Sequence, residues 1–111
     1  MRLSPLDPLM FLMQTVTALA HLVAGQYAEA AEWAARASRE QPNFLIPIRI
    51  LVSSNALYGR LHEARNALAR ACHLDPDFCL SNLKDRVGPL GAEDFARFAE
   101  GFRLAGLPER L

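Results

Sequence analysis

An excess of charge of either sign is missing from this chain. Twelve Lys and Arg residues stand against twelve Asp and Glu in 111 residues, for a formal net charge of zero. Binding nucleic acid through phosphate attraction requires a surplus of bases, so that class of function is excluded. A charged disordered tail is excluded as well, because 51% of the residues are hydrophobic. Cysteine is scarce: Cys72 and Cys79 cannot build the disulfide framework of a small secreted scaffold; a single bridge between them stays open, and the leading reading is two reduced, partly buried thiols of a cytoplasmic protein. The apolar run at residues 9–24 is interrupted by Gln14, Thr15 and His21 and falls short of the ~20 residues that a membrane span needs. Two prolines and Asp7 precede it, which does not fit a signal peptide.

Signatures of chemistry are lacking too. There is no phosphate-binding loop, dinucleotide glycine pattern, His-Glu-x-x-His or Cys-x-x-Cys. The three histidines are scattered, and Cys72 and His73 leave a helix on different faces, so with Asp75 and Cys79 they do not converge on one ion. Glu29 with Glu32, and Glu93 with Asp94, fall in first helical turns, where the free N–H groups favour negative charge. Arg60, Arg65 and Arg70 are spaced at fives and spiral round their helix instead of forming a stripe. The expectation is no catalytic, metal-binding or cofactor-binding residue, and no membrane partner.

What is present is alanine, leucine and a period. Alanine and leucine favour helix over sheet. An offset of 34 residues carries Gly25 onto Gly59, Ala30 onto Ala64, Ala37 onto Ala71 and Pro42 onto both Pro76 and Pro8. Gly25 and Gly59 stand where helices must end, because glycine takes a left-handed cap at no steric cost. Ala30, Ala37, Ala64 and Ala71 allow close approach of paired helices. Pro42 and Pro76 stop one helix and are expected to open the next. After Pro76 the period lapses. Residues 77–87 predict one more helix, stopped by Gly88-Pro89, and a last helix follows from residue 91 to Leu104, with Phe95, Phe98 and Phe102 on one face and Glu93, Asp94, Arg97, Glu100 and Arg103 on the other.

The period and the Gly-x-Tyr-x-x-Ala landmark, here Gly25-Gln26-Tyr27-Ala28-Glu29-Ala30, resemble the tetratricopeptide repeat family. The resemblance implies an all-α, right-handed α-α superhelix of about six helices. Residues 1–10 would end a preceding repeat, 11–44 and 45–78 would be two repeats, and 79–111 would be capping helices. The inner helix of the first repeat departs from the family pattern at Gln14, Thr17 and His21. The tail, with Leu-Lys-Asp-Arg-Val, Gly-Pro-Leu and the closing Gly106-Leu107-Pro108-Glu109, is similar to C-terminal repeat regions of some bacterial adenylate and guanylate cyclases and related signalling proteins. That similarity implies a non-catalytic part of a larger bacterial signalling protein.

Such repeats bind extended peptides along a concave groove. The family's binding places fall on Leu12, Thr15, Leu19, Leu22 and Val23 in the first repeat, and on Ile46, Arg49, Ser53, Ala56 and Leu57 in the second. The Lys and Asn residues with which chaperone-binding members hold a peptide carboxylate are missing. An apolar groove either receives a hydrophobic peptide or is covered by the chain's own last helices or by another copy. Because residues 9–13 are consecutive large apolar residues, one helix face cannot bury them all, which predicts a homodimer through the N-terminal helix. The leading expectation is a protein-interaction or self-association module; the alternatives are a peptide-binding adaptor and a regulatory region of a nucleotide cyclase or transcription regulator.

Overall fold

A computed structural model of the chain describes residues 8–87 and 90–110. Among these there is no strand, and six α-helices follow in the order α1 (Pro8–Val23), α2 (Tyr27–Glu40), α3 (Leu45–Tyr58), α4 (Leu61–Leu74), α5 (Leu83–Val87) and α6 (Ala92–Ala105). A 3-10 turn at Leu80–Asn82 leads into α5. The all-α expectation is met. Of the expected end of a preceding repeat in residues 1–10, residues 1–7 lie outside the described residues and residues 8–10 belong to α1; the Gly88-Pro89 stop also lies outside them.

The sequence period is repeated in the backbone, bond for bond. Gln26 donates its N–H to the His21 carbonyl at 2.8 Å, and Arg60 donates to Asn55 at 2.8 Å. Ala30 donates to Gln26 and Ala64 to Arg60, both at 3.0 Å. Gln41 donates to Ala37 at 3.0 Å, as Asp75 does to Ala71 at 2.9 Å. Gly25 and Gly59 take positive φ values of 80° and 100°, which the left-handed cap requires. Two segments with few identical residues thus fold into the same turn–helix–turn unit, because the landmark residues fix the places where the chain reverses.

Between the turns, helix packing follows the small residues. α1 packs on α2, α2 on α3 and α3 on α4. Ala30, Ala34, Ala37, Ala64 and Ala71 are fully buried at these contacts. None of α2, α3, α4 and α6 starts with a side-chain cap, so these helices of 14 residues are held by tertiary burial more than by their ends.

Pro42 and Pro76 do a different job from the one expected. α2 ends at Glu40 and α3 begins only at Leu45, so neither proline opens a helix. Instead Phe44 donates to the Gln41 carbonyl at 3.1 Å and Phe78 to Asp75 at 3.0 Å. Each proline is the second residue of a four-residue turn, the place its fixed φ suits. The residues of α1 that depart from the family pattern make hydrogen bonds, although Gln14 Oε1 and Glu40 Oε2 are buried without a partner: Gln14 Nε2 donates to Glu40 at 3.3 Å, Thr17 donates to the Met13 carbonyl at 2.7 Å, and His21 pairs with Gln26 at 2.6 Å.

The segment after Pro76 is shorter in helix than its sequence predicts. Phe78 and Cys79 lie outside any helix, Cys79 with an extended backbone, and helix resumes only at Leu80. The cause is the chain's own last residues: Leu80 and Ser81 donate their N–H groups to the Pro108 and Glu109 carbonyls at 2.8 and 2.9 Å. Asn82 completes the stop by accepting from the Cys79 N–H at 3.1 Å. Gly106, at φ 103°, turns the chain out of α6 and delivers Leu107 to the core, where it is 4% exposed. Leu107→Ala should therefore loosen both ends of this latch and cost about 2 kcal/mol in chemical denaturation.

Candidate functional site

The inner faces of α1 and α3 form the floor on which the sequence places a groove, and α6 lies over α3. α6 packs chiefly on α3 and less on α4. Phe98 and Phe102 are buried there, and the Phe102 ring meets Phe98 and Phe78 edge-on at centroid distances of 5.1 and 5.3 Å. The contact is closest at Gly101. A Cβ at that position would lie 2.8 Å from both the Cα and the carbonyl oxygen of Ser53. Beside it, Ser53 Oγ donates to the Phe98 carbonyl at 3.0 Å. The N-terminal part of α6 reaches α1, where Arg97 donates to the Val23 carbonyl at 2.9 Å and pairs with Asp94 at 2.7 Å. Arg97, expected on a solvated face, thus satisfies an end carbonyl of α1.

The ten groove residues are accordingly not one open surface: Ala56 is buried and Val23 is 38% exposed. Ser53 is fully buried beneath α6, and Leu22 is buried in the core. Thr15 is buried and spends its hydroxyl on the Phe11 carbonyl at 2.9 Å. Leu57 packs against the core from its edge. Leu12 is 55% exposed and points out of the protein. Leu19, Ile46 and Arg49 are brought together in one cavity.

That cavity, of about 450 Å³, lies where α1, α3, α5 and the middle of α6 meet. Leu19, Ile46, Ile50, Leu90 and Phe98 supply an apolar wall, and Arg49 and Arg86 are its charged lining. Arg49 is 6% exposed. Its Nη1 donates to the Arg86 carbonyl at 3.0 Å, its Nη2 to Asp75 at 3.2 Å, and its guanidinium lies over the Phe78 ring at 5.0 Å. The Arg49 Nε is buried without a hydrogen-bond partner. Arg86 Nε donates to the same Asp75 oxygen at 2.9 Å. Burial lowers the Arg49 pKa from its ordinary value and the like charge of Arg86 lowers it further, while Asp75 opposes both. The hydrogen bond to Asp75 raises that of Arg86. Two guanidiniums therefore share one carboxylate, and the more deeply buried of them is the less well compensated.

Sequence reasoning missed Asp75, Arg86 and Gly101 in these roles. Asp75 and Arg86 stand beyond the repeat landmarks, and no local pattern says that they meet Arg49. Gly101 carried a weak signal, since an isolated glycine inside a helical pattern often marks a close contact.

Elsewhere, the outer side of α1 exposes a stripe. Leu12, Met13 and Val16 are 50–56% exposed, and Val23 is 38% exposed. At 100° per residue these side chains, with exposed Ala20 between them, fall on one face of the helix. α1 carries no Asp, Glu, Lys or Arg. No helix of the described residues is long and apolar enough to cross a membrane. Among the described residues no group of three or more His, Cys, Asp or Glu is placed to hold a metal ion. Compared with known proteins, the chain matches no family model, no curated protein and no solved structure.

Proposed function

We propose that this chain is a non-catalytic protein-interaction module of the tetratricopeptide type, whose working surface is the outer stripe of α1 and whose partner there is a second copy of the chain. The repeat reading is supported by the recurrence, 34 residues apart, of the same turn bonds and the same glycine caps. The self-association reading is carried by one observation: a 16-residue helix without a charged side chain turns large apolar groups to solvent. Self-contact along that stripe meets no like-charge penalty. It removes on the order of a few hundred Å² of apolar surface per copy, which suits a weak, reversible pair. The tail's resemblance to cyclase-linked repeat regions supports a place in a larger signalling protein, and the full reading frame around this chain tests that directly.

A foreign peptide in the concave groove would have to displace α6 from Ser53. The α1 stripe needs no such rearrangement, and for that reason it is the preferred surface. Sedimentation velocity should show a monomer–dimer equilibrium at tens of micromolar, the range expected of a weak interface. Replacing Leu12 and Val16 together by Glu should raise the dissociation constant at least about thirtyfold and leave helicity unchanged. A monomer at every concentration up to the solubility limit would sink the self-association reading.

A further inference from the structure

The charged lining of the cavity has a task that the interaction surface does not use. We propose that the cavity between α1, α3 and α6 binds a small amphipathic carboxylate, a medium-chain acid whose acid group meets Arg49 and Arg86 and whose apolar body lies along Leu19, Ile50 and Phe98.

Three features of the site argue for this ligand. First, the shape and lining are those of a small-molecule site, with apolar walls and a few polar groups at one place. Its volume of about 450 Å³ lies within the usual range for such pockets. Second, the charge balance is incomplete. Arg49 and Arg86 share the single carboxylate of Asp75, so an entering carboxylate makes two cations face two anions. Asp77 and Asp85 also act on Arg86, but both are exposed and neither is bonded to Arg49. Third, Arg49 is more than nine-tenths buried, lines the cavity and keeps an Nε–H without a partner. A buried donor left unsatisfied is costly, and an arginine donor is satisfied best by a carboxylate oxygen. Burial lowers the Arg49 pKa from its ordinary value, and the like charge of Arg86 adds to that against the pull of Asp75. An alcohol with the same chain fills the apolar part and leaves the charge uncompensated. An amine adds a third cation. The carboxylate is thus the head group that the lining selects.

Octanoate is the probe, with octanol and octylamine as its neutral and cationic counterparts. Titrated into the ¹⁵N-labelled chain below its aggregation concentration, octanoate should shift the Arg49 Nε–H resonance and the amides of Ile50 and Phe98 along one saturable curve. Octanol should bind at least about tenfold more weakly, the loss expected for a hydrogen bond to a charged group. Arg49→Met keeps the volume, leaves Asp75 paired with Arg86, and should weaken octanoate by a similar factor. Ile46→Trp, at a position 55% exposed on the cavity's rim, should block entry without touching the charges. The proposal is overturned by octanol or octylamine binding as tightly as octanoate, by unchanged affinity in Ile46→Trp or in folded Arg49→Met, or by the absence of a saturable shift. None of these readouts involves the α1 stripe, so the result stands apart from the self-association test.

Discussion

Gly101→Ala should unseat α6. In an ordinary helix interior the change stabilises by about 1 kcal/mol, because alanine is the better helix former. Here the added methyl meets the Cα and carbonyl oxygen of Ser53, each 2.8 Å from where it must stand. Those are backbone atoms of α3, a helix packed against α2 and α4, and they cannot rotate away as the end of a flexible side chain does. Either the two helices move apart, and the burial of Phe98 and Phe102 is loosened along their length, or α6 leaves its seat. Overpacking of this kind costs about 1–3 kcal/mol, occasionally more, and steric contact with the backbone of α3 belongs at the upper end. The expected outcome in denaturant unfolding is a net loss of about 2–3 kcal/mol despite the gain in helix propensity. Gly101→Val should go further and abolish a single cooperative transition. Ala96→Val, on the exposed side of the same helix, should change stability by under about 0.5 kcal/mol. Equal effects at positions 96 and 101 would show that the α3–α6 contact is not where α6 is held.

Asp75→Ala should cost about 3–5 kcal/mol, the penalty of leaving a buried charge without its partner. Asp75 receives the Arg49 Nη2 at 3.2 Å and the Arg86 Nε at 2.9 Å. Arg86 is a third exposed and can turn to water once its partner is gone. Arg49 cannot, because its side chain is 8% exposed and lies against Phe78. Asp75 also binds three sequence regions at once, the end of α4, the middle of the α3 first turns and the end of α5, so its loss is felt beyond one pair. Arg49→Met is the contrasting variant. It removes the buried cation, leaves Asp75 paired with Arg86, and should cost clearly less than Asp75→Ala under the same conditions. Thermal unfolding of both variants beside the parent checks the order. If Arg49→Met proves the more damaging, Arg49 is held mainly by its packing on Phe78 and its bond to the Arg86 carbonyl.

The two variants also separate two kinds of information carried by the chain. The repeat units were legible because their determinants are local. A glycine with positive φ, an alanine four or five residues later, and a proline fitted to a turn each impose a backbone geometry from within a few residues. Their recurrence at a fixed offset needs no knowledge of the rest of the chain. The same holds for the helical period of Phe95, Phe98 and Phe102, which predicted the buried face of α6 before its partner was known. Locality also explains the errors. The prolines at 42 and 76 satisfy a helix start and a turn equally well in sequence, and the bonds from Phe44 and Phe78 decide for the turn. The helix expected over residues 77–87 loses its first residues to the hydrogen bonds that Leu80 and Ser81 make with the tail.

What the sequence determined by itself is therefore the all-α class, the 34-residue unit and the residues at which each unit turns. The tertiary structure alone decided what covers the groove. No pattern in α6 says whether its apolar face meets α4, α3 or another molecule, and the answer rests on whether a backbone can approach Ser53 closely enough, which only Gly101 permits. It decided likewise that Arg49, Asp75 and Arg86 converge, since they come from three elements whose meeting depends on how the units stack. Turns are set by torsional preferences of single residues, whereas sites are set by distances between residues far apart in the chain, and those distances exist only once the helices have packed.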